Sequence, residues 1–184
     1  MAKTATPLMF QPLVKYVDFN GRARRSEYWL FFLFQFLVSI ALGLVGAIAG
    51  LKAPMEAATN LFSLAMFLPT LAVSVRRFHD INRTGWWVIF PLAVLIVALI
   101  IYFVFNGTAF IAAMKDIDMQ AIKAEDETAI MDMFTALAPM FLWVWLPAWL
   151  ASVVTFVFHV TDGTRGANRF GSDPKGASAD AGVF

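Results

Sequence analysis

Polar and apolar positions along this chain fall into long blocks rather than an alternating pattern. Four apolar runs, 28–50, 57–75, 86–105 and 134–158, contain no Asp, Glu, Lys, Arg or His. About 20 uncharged residues rising 1.5 Å each match the roughly 30 Å hydrocarbon layer, and in lipid a single segment satisfies its own backbone polar groups only as a helix. The pattern predicts an all-α integral membrane protein, a four-helix bundle whose membrane domain covers residues 16–174. Residues 1–15 carry Pro7 and Pro12 without a clear period and read as an N-terminal tail or short surface helix. Residues 175–184 read as a flexible C-terminal tail. Ala47-Ile48-Ala49 has the form of a signal-cleavage site, but the apolar core before it exceeds the roughly 7 to 15 residues of a cleavable segment, so the first run is expected to remain a helix.

Several positions within the runs carry their own expectations. Ser39, Gly43 and Ala47 recur at four-residue spacing, with Gly46 and Gly50 as a second small-residue stripe. Such stripes let helix backbones approach closely in lipid, and packing within the chain is favoured over a dimer seam. Pro69, Pro139 and Pro147 predict kinks. Gln35, Thr70 and Ser152 sit at similar depth and predict an interior polar layer, each hydrogen bond stabilising helix association by about 0.6 to 2 kcal/mol. Tyr28, Trp29, Trp86 and Trp87 read as interfacial residues, whereas Trp143, Trp145 and Trp149 are expected to include rings packed inside the bundle or on a partner. In the long connection, 106–133, Phe110, Met114, Ile117 and Ala121 recur at helical spacing and predict an amphipathic helix on the outer membrane surface or capping the bundle. The run Glu125-Asp126-Glu127 reads as a solvated turn, because adjacent helical carboxylates point in different directions.

Charge orients the spans. The chain is 60% hydrophobic and 15% charged, against about a quarter charged in soluble domains. Its net charge of +1 conceals a segregation. Lys3, Lys15, Arg22, Arg24 and Arg25 precede the first run, Arg76, Arg77 and Arg83 separate the second from the third, and Arg165, Arg169 and Lys175 follow the fourth. The other two connections hold only Lys52, Lys115 and Lys123, among seven carboxylates. Basic loops are retained in the cytoplasm, so both termini are expected there, the long connection being periplasmic. The absence of cysteine excludes disulfides, thiolate metal sites and cysteine nucleophiles.

Candidate chemistry gathers in the three basic segments, 21–29, 76–87 and 163–174. They share one membrane plane, which places Arg22, Arg25, Glu27, Arg76, Arg77, His79, Asp80, Arg83, Asn168, Arg169 and Asp173 within reach of a common polar cluster. Gly-Arg-x-x-Arg-x-Glu-Tyr-Trp at 21–29, Arg-Arg-x-His-Asp with Gly-Trp-Trp at 76–87, and Gly-x-Asn-Arg-Phe-Gly-x-Asp-Pro at 166–174 together resemble the bacterial inner-membrane family catalogued as domain of unknown function 805 (DUF805). The resemblance covers roughly 14–174 and implies a four-span inner-membrane protein. The chain departs from the family's pattern at Phe78, where Leu is more usual, and in a longer outer connection around 109–132.

Three function classes follow. A non-enzymatic membrane module would use the cluster to stitch helix ends, to bind anionic phospholipid, or to hold a membrane-protein partner or second copy as an accessory subunit. Transport is disfavoured, because the apolar runs hold no ionisable group. An enzyme is disfavoured too: the chain has no G-x-S-x-G, H-E-x-x-H or P-loop, and its only imidazoles are His79 and His159. No cofactor, metal or nucleic acid is expected.

Overall fold

The computed structural model describes residues 6–176. Lys3 and the expected tail beyond Gly176 lie outside them. Helices are α1 (Gln11–Val14, after a 3-10 turn at Leu8–Phe10), α2 (Arg25–Ile48), α3 (Lys52–Asp80), α4 (Phe90–Lys115, after a 3-10 turn at Gly85–Ile89), α5 (Met119–Lys123), α6 (Glu127–Met140) and α7 (Leu146–Val160). A π-helical turn at Phe141–Trp145 joins α6 to α7, giving four helical stretches long and apolar enough to cross a membrane. They overrun the uncharged runs. α3, at 29 residues, spans about 43 Å, so its last turns carry Arg76, Arg77 and Asp80 as helical residues.

The chain divides into two compact units, one formed by residues up to Val88 with those from Val157 onward, the other by Ile89–Phe156. In the first, α2 and α3 pack as an antiparallel pair around Phe31, Val73 and Ala23, with Leu13, Tyr28, Phe34 and Met66 against them. Pro69 is buried inside α3 and has no N–H for the carbonyl of Ala65, four residues back. The Tyr16 hydroxyl donates to that carbonyl, so a residue outside the helix replaces the missing bond. Gln35 and Thr70 are joined across the pair, Thr70 Oγ1 donating to Gln35 Oε1 at 3.1 Å. Ser152, in the other unit, donates to the Ala148 carbonyl of its own helix at 2.9 Å.

The second unit packs α4 against α6 and the π turn. Pro139 and Pro147 bracket that turn, where the helix departs from its regular bonding and the Leu146 amide reaches the Phe141 carbonyl five residues back. Trp143, Trp145 and Trp149 are 69%, 52% and 62% exposed, so of the two expected settings, the bundle interior or a partner, none has the first within its unit. The periodic residues of the long connection are divided: Phe110 and Met114 continue α4, Ile117 lies in the link, and Ala121 is in α5. Asp118 and Asp126 start new helices by capping them, accepting from the Gln120 and Thr128 amides at 2.8 Å each.

Of the small residues on α2, Gly46 makes the close approach. A Cβ there would lie 2.9 Å from Met55 Cβ on α3, whereas one on Gly43 would meet nothing within 4 Å. Gly46→Leu should therefore lower the thermal unfolding midpoint in detergent by the equivalent of about 1–3 kcal/mol, with Gly43→Leu close to wild type. Equal effects of the two substitutions would contradict this packing.

Candidate functional site

The arginine-bearing segments meet around the end of α3. Gly21, at φ +79°, turns the chain so that the Ala23 amide reaches the Arg76 carbonyl at 3.0 Å, docking the entry segment on α3 before α2 begins. That contact carries Arg22 inward. Its Nε donates to Asp80 Oδ1 at 2.9 Å, and Arg77, one turn earlier on α3, donates to Asp80 Oδ2 at 2.6 Å. One carboxylate thus holds two guanidinium groups, and the three side chains are at most 4% exposed.

Both arginines spend their remaining donors on carbonyls. Arg22 reaches the carbonyls of Thr164, at 2.5 Å, and Gly166, at 2.6 Å. Arg77 donates to His159 at 3.2 Å, to Phe158 at 3.5 Å and to the Thr161 carbonyl. Those carbonyls belong to the end of α7 and the residue beyond it, where a helix lacks internal donors and carries partial negative charge. Arg77 is in this sense a cap supplied by another helix. The chain after α7 returns to the Asp80 backbone, whose carbonyl accepts from the Thr164 amide at 2.9 Å and from its hydroxyl at 3.0 Å. Gly163 makes this possible, since a Cβ there would run into the Asp80 carboxylate.

A second layer surrounds this centre. Asn168 donates to the His79 carbonyl and to Thr164 Oγ1, both at 2.9 Å. The His79 ring lies flat on Phe170, centroids 3.9 Å apart, with Nδ1 3.1 Å from the Gly21 carbonyl. Arg76 and Glu27 form a separate buried pair at 2.9 Å between α3 and α2. Arg76 is fully buried, and its Nε and one terminal nitrogen have no hydrogen-bond partner among the described residues, so this pair is the less completely satisfied of the two.

The remaining predicted residues lie at the rim. Arg25 pairs at 2.9 Å with Asp162, both well exposed. Arg83 sits over the rings of Trp87 and Phe158, 5.0 and 4.1 Å from their centroids. Arg169 donates to the Asn82 carbonyl at 3.1 Å and lies over Phe170. Asp173 pairs with no arginine; it receives the Lys175 amide at 2.9 Å and the Gly166 amide at 3.1 Å, closing the turn around Gly166–Lys175. Sequence reasoning missed Gly163, Thr164, Asp162 and the Arg24 contact to the Pro174 carbonyl, made at 2.6 Å from Nε. Thr164 and Gly163 stood within the third segment, but nothing in their spacing marks a residue that bonds through backbone.

Two outcomes test this geometry. Asp80→Ala strips two buried guanidinium groups of their common partner and should cost about 3–5 kcal/mol, seen as lost accumulation or a much lower unfolding midpoint. Arg25→Ala breaks an exposed pair and should cost under about 1 kcal/mol; comparable losses would contradict the difference in burial. Asp173, outside the membrane-length helices, is held below its ordinary 3.8 first by the Lys175 amide and then by the Gly166 amide. Its stabilisation of the turn is therefore present above 3.8 and lost as pH falls through the depressed value. Amide chemical shifts of Gly166 and Lys175 should move over that acid range and stay still in Asp173→Asn.

Comparison with known proteins identifies a family and relatives. The model of the family described as "Protein of unknown function (DUF805)" matches residues 16–172. The inner membrane protein YhaI of Escherichia coli K12 is 32% identical over 163 residues, 89% of this chain and 91% of its own length. The inner membrane protein YhaH of the same organism is 43% identical over 99 residues, 53% of this chain and 81% of its own. No solved structure matches. With four membrane-length helices and all three arginine-bearing motifs largely inside the matched region, the chain belongs to the DUF805 family of membrane proteins.

Proposed function

We propose that this protein is a non-enzymatic, multi-pass inner-membrane module with both termini cytoplasmic, whose buried Arg–Asp–Asn cluster ties the helix ends together and whose basic rim binds anionic phospholipid headgroups. The observation that carries the reading is the division of labour among the arginines. Arg22 and Arg77 direct their donors to Asp80 and to backbone carbonyls, and Arg76 is sealed beside Glu27. Arg165 and Arg169 are exposed, and Arg165 has no hydrogen bond or ion pair to any described residue. A guanidinium suits a phosphate bidentately, and each basic side chain near an anionic leaflet contributes about 1 kcal/mol. Trp86, 77% exposed and three residues after Arg83, fits a residue anchored at headgroup level.

A second reading, an accessory subunit of a larger membrane complex, is favoured by the exposed rings of Trp143, Trp145 and Trp149, large amphipathic surfaces of the kind enriched at interfaces.

Native mass spectrometry from nanodiscs of mixed phosphatidylglycerol and phosphatidylcholine separates these readings. Wild type should retain phosphatidylglycerol selectively, and Arg165→Gln with Arg169→Gln should reduce that retention several-fold without lowering the unfolding midpoint. Equal retention of both lipids by wild type would overturn the headgroup reading, and a co-purifying membrane protein would move the assignment to the accessory subunit.

A further inference from the structure

A groove of about 680 Å³ lies between the end of α2 and the start of α3, within the first unit. Ser39, Gly43 and Ala47 line it from α2, and Lys52, Glu56 and Asn60 line it from α3. Each set recurs every four residues and so forms one stripe along its helix. Packing within the helix pair leaves the α2 stripe open. Gly46 makes the close approach to Met55, whereas a Cβ on Gly43 would meet nothing within 4 Å, and Gly43 and Ala47 are exposed.

The α3 stripe is polar and unsatisfied. The side chains of Lys52, Glu56 and Asn60 are exposed and make no hydrogen bond or ion pair to any described residue. Lys52 and Glu56 stand four apart, but the lysine precedes the acid, the weaker order for a pair on one helix. Lys52 also begins α3, where the positive end of the helix dipole opposes its charge. Asn60 lies about 12 Å into α3 at helical rise, inside the charge-free run 57–75. An amide at that depth in lipid is unfavourable without a partner, and helices associate to supply one.

This stripe is complementary to itself. Copies inserted with the same orientation bring equal residues to equal depth, and a two-fold axis makes every contact reciprocal. Lys52 then faces the partner's Glu56, one helical turn away, and Glu56 faces the partner's Lys52. An amide both donates and accepts, so Asn60 can bond to the partner's Asn60. An unrelated helix would need charges of both signs and an amide in matching order, which a second copy supplies by symmetry.

We propose that this groove is the seam of a homodimer, in which α3 of a second copy packs against Ser39, Gly43 and Ala47 and pairs Lys52 with Glu56 reciprocally across a two-fold axis near Asn60. Small residues at four-residue spacing admit the close approach that such a seam requires in lipid. The seam is separate from the headgroup reading and does not depend on it.

The chain has no cysteine, so single-cysteine variants report the seam directly. Oxidised in intact membranes, Asn60→Cys should form a disulfide-linked species of twice the chain mass. Ile100→Cys, exposed on α4 and not part of the groove, should not. Energy transfer between copies labelled at Ile100→Cys, diluted with phosphatidylethanolamine and phosphatidylglycerol in vesicles, gives the dissociation constant. Lys52→Glu should raise that constant at least fivefold. Adding Glu56→Lys should return it to within twofold of the parent, a rescue that a role for Lys52 within one chain would not produce. Gly43→Leu should raise it at least tenfold while the unfolding midpoint in dissociating detergent stays near wild type. A parent chain that is monomeric at every dilution, linking of Asn60→Cys no greater than that of Ile100→Cys, or failure of the double exchange to restore association would overturn the proposal. Linking of Asn60→Cys to a protein of different mass would also overturn it and give the face to another partner. Protection of that cysteine from a membrane-permeant maleimide in a monomeric chain would overturn it in favour of the second unit as occupant.

Discussion

Burying arginine at the end of a membrane helix is the constraint on which the first unit depends. A guanidinium taken out of water loses several kcal/mol of hydration, and only complete pairing restores it. Asp80 meets that demand twice over, and the carbonyls at the end of α7 and in the loop after it meet the rest. The exchange is mutual, since a helix end buried without donors is itself unfavourable. Arg77 therefore satisfies two requirements with one side chain: its own charge finds a carboxylate, and α7 gains a cap. Gly163 and Gly21 serve the same centre from the backbone, one by leaving room for a carboxylate and the other by a left-handed turn.

This closed centre shapes what the surface can do. Arginines whose donors are consumed internally hold the loops in register, and they present the neighbouring basic side chains from a fixed frame. The same logic separates the carboxylates of the long connection, where the side chains of Asp118 and Asp126 cap helices and those of the other four acids make no bond to a described residue. In both places the informative quantity is which members of a charged cluster the fold has left without a partner, rather than how many charges there are.

Much of the architecture was legible in the sequence, for a physical reason particular to membranes. A single segment in lipid satisfies its own backbone only as helix, so a charge-free run of sufficient length predicts its own secondary structure without knowledge of its neighbours. The three motifs around Arg22, Arg77 and Asn168 were legible as segments as well, because charges beside such runs are confined to the interface. Their pairing was not. Asp173 was expected to meet an arginine and instead receives backbone amides, and Glu27 takes Arg76 while Asp80 takes Arg77 and Arg22. Adjacent arginines on one helix differ by about 100° in direction, and which carboxylate each reaches depends on the rotation of α3.

The amino-acid order by itself determined that the chain carries four helices long and apolar enough to cross a membrane and that its cations collect in three segments, since hydropathy and charge act locally and need no fold. Tertiary structure alone decided that Gly46 rather than Gly43 makes the close contact, that Tyr16 replaces the bond lost at Pro69, and that Thr164 and Gly163 complete the arginine centre. Each of these is a contact between residues distant in the chain, fixed by helix rotation and loop return, and neither quantity is written in any local pattern.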